Sequence, residues 1–170
     1  MTTAPFLIEV LGPAHARSGF SCGVEALDRY FREQVTQDVR RRATVCYVAL
    51  DVATAKVAGY YTLAAASVAL TDLPERFAKR LPRYPSVPVA RLGRLAVDQA
   101  YRGRQLGASL LWDAAMRALR SEIAVYALVV DAKDEQAVEF YHHHGFVPFG
   151  SLPRQLVLPL ANLAPPTTSR

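Results

Sequence analysis

Residues 94–111, RLAVDQAYRGRQLGASLL, combine an apolar run, a turn rich in arginine and glycine, and an amphipathic pattern. This order predicts a strand, a turn and the beginning of a helix. Backbone N–H groups at a helix N-terminus point into such a turn, and the helix dipole favours negative charge there. Arg102 and Arg104 add fixed positive charge to the same turn. The stretch therefore predicts a binding site for a phosphate or a pyrophosphate.

Gly103 and Gly107 bracket the loop of this turn, where glycine lets the backbone approach a ligand closely. The loop matches neither the Walker lysine pattern nor the dinucleotide-binding GxGxxG pattern, which argues against a nucleotide triphosphatase and a nicotinamide enzyme. A glycine-bearing turn from strand to helix is common in α/β proteins, so the loop alone does not identify the ligand.

Histidines and cysteines offer no further site. His142, His143 and His144 are consecutive, and on a helix neighbours point about 100° apart, so they cannot jointly hold one metal ion. Cys22 and Cys46 lack the spacing of a metal site, and free thiols fit a reducing compartment. We therefore expect no metal.

The first half of the chain predicts a helix and a hairpin. A helix is expected over residues 24–40, and strands over residues 44–50 and 57–68 form an antiparallel pair. Asp72 is expected to cap a short helix that runs to about residue 79.

The second half predicts a parallel unit. A strand over residues 89–98, a helix over residues 106–119 and a strand over residues 125–132 form a right-handed βαβ unit. A final helix and strand follow: Asp134 caps the helix, which runs to about His143 and ends at Gly145, and the strand covers residues 155–160. Together these elements predict one α/β domain over residues 1–163 and a flexible tail over residues 164–170.

Charge and hydropathy bound the class of protein. The net charge is +5, which favours an anionic partner, although arginine clusters also serve solubility. The chain shows neither an apolar window of membrane-spanning length nor a signal peptide, so we expect a cytoplasmic protein without a membrane partner. The basic residues fall into three clusters: Arg40, Arg41 and Arg42; Arg76, Lys79, Arg80 and Arg83; Arg91, Arg94, Arg102 and Arg104.

Two segments together resemble the GNAT superfamily of N-acetyltransferases. The segment RGRQLG, residues 102–107, is similar to the family's R/Q-x-x-G-x-G/A loop, which binds the pyrophosphate of acetyl-CoA. The segment AVEFYHHHGF, residues 137–146, is similar to its A-x-x-F-Y-x-x-x-G-F pattern. One position departs from the family, because Gln105 stands where the first loop glycine is expected.

The resemblance implies a GNAT fold, with a mixed central sheet, antiparallel N-terminal strands and a parallel acetyl-CoA-binding core. It implies that Tyr141 returns a proton to the CoA thiolate, whereas the residues alone favour a core aromatic. Gly93 is expected to mark an irregularity that splays the sheet. The residues implied to bind acetyl-CoA are Leu95, Ala96, Val97, Arg102, Gly103, Arg104, Gln105, Leu106, Gly107, Ala108, Asp134 and Phe140.

Three further segments, FSCGVEALDRYF, VAGYYTLAAASV and LPRYPSVPVARLGRLAVD, resemble the acetyltransferase toxins of bacterial toxin–antitoxin pairs. That resemblance implies acetylation of the α-amine of aminoacyl-tRNA, inhibition of translation, a homodimer, and a ribbon–helix–helix antitoxin as partner. The residues expected to bind tRNA are Arg76, Lys79, Arg80, Arg83, Arg91 and Arg94. Alternatives are a GNAT enzyme that acetylates a protein N-terminus, a polyamine or an antibiotic amine, and a non-catalytic acyl-CoA-binding module.

No carboxylate in the sequence is obviously placed as a general base. An α-amine titrates near 7.7–8.0 and a lysine near 10.4, so about a tenth or more of an α-amine is already neutral at pH 7. This difference favours an aminoacyl α-amine over a protein lysine as the acceptor, although Glu139 could serve as a base. The sequence does not indicate which tRNA or aminoacyl group is used.

Overall fold

The computed structural model describes residues 5–163, and the strands in that range form one mixed sheet. The seven strands are β1 (Phe6–Val10), β2 (Val45–Asp51), β3 (Val57–Ala69), β4 (Ser86–Val97), β5 (Ala127–Asp131), β6 (Val147–Pro148) and β7 (Gln155–Pro159). The helices are α1 (Glu25–Arg29), α2 (Val35–Arg40), α3 (Glu75–Ala78), α4 (Leu106–Leu119) and α5 (Glu135–His143).

The strands lie in the order β1-β2-β3-β4-β5-β7-β6. Strands β4 and β5 are parallel and the other neighbours are antiparallel, so the predicted hairpin, the βαβ unit and the α/β class are confirmed. Strands β1 and β6 were not expected, because β1 shows no clean alternation and β6 has only two residues.

Chain contacts divide the fold into two units, of which the first contains the chain up to Ala64 together with Leu92–Ala114. Its core is aromatic. The rings of Phe31 and Tyr60 stack with centroids 4.3 Å apart, and Phe20 meets both rings edge-on. This core fixes the helical segment after residue 24 against the antiparallel strands.

The second unit contains Ala65–Arg91 and the chain from Ala115 onward. Its core is mainly aliphatic, in keeping with strands that are buried on both faces. The buried members of this core are Val68, Leu73, Val87, Val89, Ala127, Val129, Phe149 and Val157.

The predicted helix over residues 24–40 is present but is not α-helical throughout. A π-helical segment, Tyr30–Gln34, separates α1 from α2. Single π turns inside helices are frequent at functional sites.

The expected capping role of Asp72 is wrong. Leu73 precedes a proline and is extended, with ψ at 148°, so no helix can begin there. Pro74 occupies the N-cap position of α3 instead, and Asp72 closes a short 3₁₀ turn. The Asp72 carbonyl accepts a hydrogen bond from the Gly150 N–H at 2.9 Å.

Candidate functional site

The turn between β4 and α4 is built on Asp98, the residue that follows β4. One carboxylate oxygen of Asp98 accepts a hydrogen bond from the Ala100 N–H at 2.9 Å and begins the 3₁₀ turn Gln99–Tyr101. The other oxygen accepts from the Ser21 N–H at 3.0 Å. Asp98 therefore fixes the point where the chain leaves the sheet and attaches the loop before α1 to it.

Two residues of the turn adopt left-handed backbone, Gly103 with φ at 79° and Gln105 with φ at 58°. Glycine takes this conformation freely, whereas a residue with a side chain loses about 1–2 kcal/mol there. The Gln105 side chain is exposed to solvent. The family's preference for glycine at this position thus has a backbone cause, and glutamine meets the same requirement at some cost in stability.

Helix α4 begins directly after Gln105, whose carbonyl accepts from the Ser109 N–H at 3.2 Å. The N–H groups of Leu106, Gly107 and Ala108 lie in the first turn, where an α-helix offers no internal acceptor. These groups and the helix dipole favour an anion at this end. The Leu106 side chain is buried in the core, so this residue can offer only its backbone.

Helix α4 is held close to β3 within the first unit. A Cβ atom at Gly59 would lie 2.9 Å from both the Ala96 carbonyl oxygen and Leu110 Cδ1, so a side chain there would force a shift. The hydroxyl of the buried Tyr61 donates to the Asp113 carboxylate at 2.5 Å. These contacts position the first half of α4, and with it the turn.

The two arginines of the turn have different surroundings. Arg102 donates from Nη2 to the Cys22 carbonyl at 2.7 Å, which ties the turn to the loop before α1. The Arg104 guanidinium lies 5.4 Å from the centroid of the Tyr101 ring. Both residues are exposed, so Arg104 keeps its donors available while one donor of Arg102 serves the fold.

In strand β4, the Arg94 N–H donates to the buried Thr62 hydroxyl at 3.0 Å. A Cβ at Gly93 would lie 2.9 Å from the same hydroxyl oxygen, so glycine leaves room for it. The expected thioester-binding backbone, Leu95, Ala96 and Val97, lies directly after these residues. An irregularity at Gly93 that splays the sheet stays a prediction.

In the second unit, Tyr141 lies on the last turn of α5 and is buried. The helix ends in a Schellman motif: Gly145, with φ at 97°, donates to the His142 carbonyl, and the Phe146 N–H donates to the Tyr141 carbonyl at 3.1 Å. The Phe146 ring meets the Tyr141 ring edge-on at 5.3 Å. The spacing Tyr141, Gly145, Phe146 is therefore the spacing of a helix stop signal.

Burial raises the pKa of the Tyr141 phenol above its ordinary value of 10.0. The phenol is thus neutral over the whole physiological range and can donate a hydrogen bond. Phe140, the preceding residue, is half-buried and contacts the Tyr141 ring at 5.2 Å and the His144 ring at 4.8 Å.

Asp134 caps α5, as expected, because its carboxylate accepts from the Ala137 N–H at 2.8 Å. An ion pair with Lys133 at 2.8 Å and this cap hold the pKa of the Asp134 carboxyl below its usual range. The carboxylate is therefore charged and engaged, which gives Asp134 a structural role beside the expected ligand role.

The six basic residues expected to bind tRNA fall into two groups. Arg91 pairs with Asp131 at 2.8 Å, and the Arg94 guanidinium lies over the Tyr30 ring, 3.4 Å from its centroid. The other four are exposed around α3: Arg76, Lys79, Arg80 and Arg83.

Sequence reasoning did not single out Thr62, Asp98 or the hydrogen bond that the Tyr30 hydroxyl donates to the Asp38 carboxylate at 2.8 Å. Asp98 carried a usable signal, because a carboxylate directly after an apolar strand is a common turn former. Thr62 carried none, since its partner Arg94 is 32 residues away and the surrounding strand is apolar.

The thiols are not part of a reactive centre. Burial and a hydrogen bond involving Asp28 raise the pKa of Cys22 to about 11, and burial raises that of Cys46 to about 12. Residues 5–163 contain no group of three histidine, cysteine, aspartate or glutamate side chains arranged to hold a metal ion. None of the helices described here has the length and apolarity needed to cross a membrane.

Residues 14–146 match the acetyltransferase (GNAT) family. Two relatives align with this chain over most of their length. The probable toxin TacT of Sinorhizobium fredii (strain NBRC 101917 / NGR234) is 30% identical over 167 residues, which is 92% of each chain. A tRNA-acetylating toxin of Mycobacterium tuberculosis (strain ATCC 25618 / H37Rv) is 37% identical over 131 residues, which is 76% of each chain.

Two solved structures share the fold over nearly the whole chain. AtaT complexed with acetyl-methionyl-tRNAfMet has a TM-score of 0.84 and 28% identity, over 93% of this chain and 96% of that chain. A tyrosine-to-phenylalanine mutant of AtaT, bound to the C-terminus of the antitoxin AtaR and acetyl-CoA, has a TM-score of 0.76 and 25% identity. That alignment covers 94% of this chain and 96% of the mutant.

Proposed function

This chain belongs to the acetyltransferase (GNAT) family, and from that premise we propose that it transfers an acetyl group from acetyl-CoA to the α-amine of an aminoacyl-tRNA. The acetylated tRNA is then blocked from elongation, so the protein acts as a toxin that inhibits translation. The similarity to a tRNA-acetylating toxin over 76% of the chain carries this proposal.

The donor site uses the turn before α4. The pyrophosphate of acetyl-CoA accepts hydrogen bonds from the N–H groups of Leu106, Gly107 and Ala108, with Arg102 and Arg104 as nearby cations. The pantetheine arm and the thioester bind the backbone of residues 95–97 at the end of β4, next to the expected irregularity at Gly93. Phe140 packs against the donor, while Asp134 acts chiefly through its cap.

The chemistry is an acyl transfer with balanced protons. The amine lone pair attacks the acetyl carbonyl carbon, the carbon–sulfur bond breaks, and CoA leaves as a thiolate. The amine loses one proton to water or to a base, the Tyr141 hydroxyl donates a hydrogen bond to the departing thiolate, and the thiolate takes its proton from water as CoA leaves. Because the pKa of Tyr141 is raised by burial, its main contribution is a strong hydrogen bond to the developing thiolate.

The acceptor is held by phosphate contacts. Arg76, Lys79, Arg80 and Arg83 form an exposed basic surface around α3, which we call the α3 cluster. Exposed arginines and lysines bind backbone phosphates without reading sequence. A tRNA substrate also places the protein where translation occurs, in the cytoplasm.

The partner of such a toxin is an antitoxin. We infer a homodimer that is neutralised by a small ribbon–helix–helix antitoxin. The complex of the AtaT mutant with the C-terminus of AtaR supports an antitoxin as partner. Co-expression with a neighbouring gene of that type should restore growth of cells that express this chain.

A labelling assay tests the proposed activity. Radiolabelled acetyl-CoA is incubated with the protein and bulk charged tRNA, and the label is followed to individual aminoacyl groups. Label should appear on charged tRNA and be absent from deacylated tRNA, polyamines and protein N-termini. The Tyr141→Phe variant should show a loss of about 10²-fold or more. Absence of label from every charged tRNA would refute the proposal.

A further inference from the structure

Arg94 is a half-buried cation whose hydrogen-bonding edge is unused. Its guanidinium lies over the Tyr30 ring at 3.4 Å, so one face of the plane is covered. No side-chain hydrogen bond or ion pair joins it to another residue in the range 5–163. By contrast, Arg91, on the same strand, is paired with Asp131 at 2.8 Å.

The Tyr30 ring, over which the Arg94 guanidinium lies, is itself held in place. The Tyr30 hydroxyl donates to Asp38 Oδ2 at 2.8 Å, and Gln34 Nε2 donates to Asp38 Oδ1 at 3.2 Å. The π-helical segment begins at Tyr30, and Asp38 follows in α2. The hydrogen bonds from Tyr30 and Gln34, together with the nearby Arg94 charge, hold the pKa of the Asp38 carboxyl below its usual range. Because the Asp38 oxygens accept from these neutral donors and not from Arg94, the hydrogen-bonding edge of Arg94 remains available to another anion.

Arg94 is fixed at its backbone as well. Its N–H donates to the buried Thr62 hydroxyl at 3.0 Å. A side chain held at both ends loses little conformational freedom when a ligand binds, which favours affinity. A guanidinium that stacks by its face keeps its in-plane N–H donors free, and that fork matches the oxygens of a phosphate.

The position of Arg94 limits which phosphate it can reach. It directly precedes Leu95, the first residue of the backbone proposed to bind the thioester, and consecutive Cα atoms are about 3.8 Å apart. In an aminoacyl-tRNA the amine is joined to the terminal ribose through the ester. About eight covalent bonds, on the order of 10 Å, separate the amine from the phosphorus on the 5′ side of the terminal adenosine. Phosphates further along the tRNA lie beyond this distance.

We propose that Arg94, stacked on Tyr30, binds the phosphodiester on the 5′ side of the terminal adenosine of the aminoacyl-tRNA. This inference rests on the proposed function and gives it a specific contact. The α3 cluster binds the body of the tRNA, whereas Arg94 aligns the reacting end. The enzyme therefore binds the aminoacylated end of the tRNA through one phosphate, independently of the tRNA sequence.

A pair of minimal substrates tests the contact. One is an aminoacylated cytidylyl-adenosine dinucleotide with its natural phosphodiester, and the other is the same compound with an uncharged methylphosphonate linkage. Acetylation is measured as kcat/KM for the wild type, Arg94→Gln, Arg94→Lys and the control Lys56→Gln, an exposed charge in the turn between β2 and β3. The two compounds differ in one charge and carry the same amine. The ratio of their kcat/KM values therefore reports the phosphate contact separately from the acyl-transfer step.

The wild type should prefer the natural linkage by about tenfold or more, as expected for a charge-assisted hydrogen bond. Arg94→Gln should abolish the preference and leave turnover of the methylphosphonate within about twofold of the wild type. Arg94→Lys, which keeps the charge and loses the fork, should retain part of the preference. Lys56→Gln should keep the full preference.

Two outcomes overturn the inference alone. One is a wild type that acetylates charged tRNA but treats both linkages equally, and the other is an Arg94→Gln variant that keeps the wild-type ratio. The wild-type measurement needs no variant, so a folding defect in Arg94→Gln would not rescue the inference. A wild type that acetylates no aminoacyl compound refutes the proposed function instead.

Discussion

At the scale of single residues, backbone conformation explains why this chain can depart from its family. Gln105 has φ at 58°, in the region that glycine enters freely, and its side chain lies in solvent. The carbonyl of Gln105 still begins α4. The N–H groups that follow are thus available as they would be after glycine, and the substitution changes stability more than it changes the anion site.

The pH dependence of turnover is predicted at the same scale. The rate should rise as the substrate α-amine loses its proton, with a midpoint of about 7.7–8.0. It should then stay level to at least pH 10.0, the ordinary pKa of tyrosine, because burial shifts ionisation of Tyr141 to higher pH still. Tyr141→Phe should keep the rising limb and lower the plateau. Steady-state kinetics from pH 6 to 10 on charged tRNA measure both.

A contrary result would be a falling limb below pH 10 that disappears in Tyr141→Phe. That outcome would mean that the phenol ionises in the enzyme despite its burial, and that its proton is transferred fully. An unchanged plateau in the variant would remove Tyr141 as the proton donor.

At the scale of elements, the sequence predicted those that carry their own boundary signals. Helix α4 was predicted over the residues that it occupies. Helix α5 has the Asp134 cap and the Gly145 stop that its sequence predicts. The expected role of Asp72 was wrong because the requirement of Pro74 for an extended Leu73 overrides a capping preference. Strand β1 is an edge strand with no such signal.

The stop of α5 gives a prediction at this scale. Gly145→Ala should lower the free energy of unfolding by about 1–2 kcal/mol, because alanine resists a positive φ. An added Cβ would lie 3.5 Å from Leu158 Cδ1, an ordinary contact, so the loss is conformational rather than steric. Chemical denaturation measures the free energy of unfolding. Gly103→Ala is the matched comparison for stability, because Gly103 also has a positive φ but lies in a different turn.

The same substitution should also lower turnover at saturating acetyl-CoA relative to the wild type, since the Gly145 stop fixes the Tyr141 carbonyl and ring. A loss of unfolding free energy with wild-type turnover would show that the stop does not position Tyr141.

At the scale of the whole molecule, the distribution of positive charge determines which residues can bind an anionic partner. The net charge is +5, yet several arginines are used inside the fold: Arg91 with Asp131, Arg102 with the Cys22 carbonyl, and Arg154 with Glu135. The α3 cluster is exposed. In the sequence, Arg91 and Arg102 belong to a basic cluster and Arg154 belongs to none. Only the observed contacts separate the arginines that stabilise the fold from those that are available to bind a partner.

Salt dependence is the corresponding prediction. Binding of tRNA should weaken steeply with salt, and each lost phosphate contact should reduce the log–log slope by about 0.7–0.9. Replacing Arg80 and Arg83 together with glutamine should therefore lower the slope by up to about 1.8. Filter binding from 50 to 300 mM salt measures the slope. Lys56→Gln, an exposed charge in the β2–β3 turn, should leave it unchanged.

A slope that is flat in the wild type would exclude the α3 cluster from tRNA binding. A slope lowered equally by Lys56→Gln would show general attraction between opposite charges and no localised surface.

The helix stop at Gly145 has a consequence for how such chains are recognised among their relatives. Of the three positions Tyr141, Gly145 and Phe146, the last two are needed to end α5. A descendant that had lost enzymatic activity would still need them in order to fold. In the proposed mechanism, the Tyr141 hydroxyl is the one group of the three that takes part in the reaction. A sequence pattern that scores the whole segment therefore reports common ancestry, and on this proposal the tyrosine hydroxyl alone separates an active enzyme from an inactive relative.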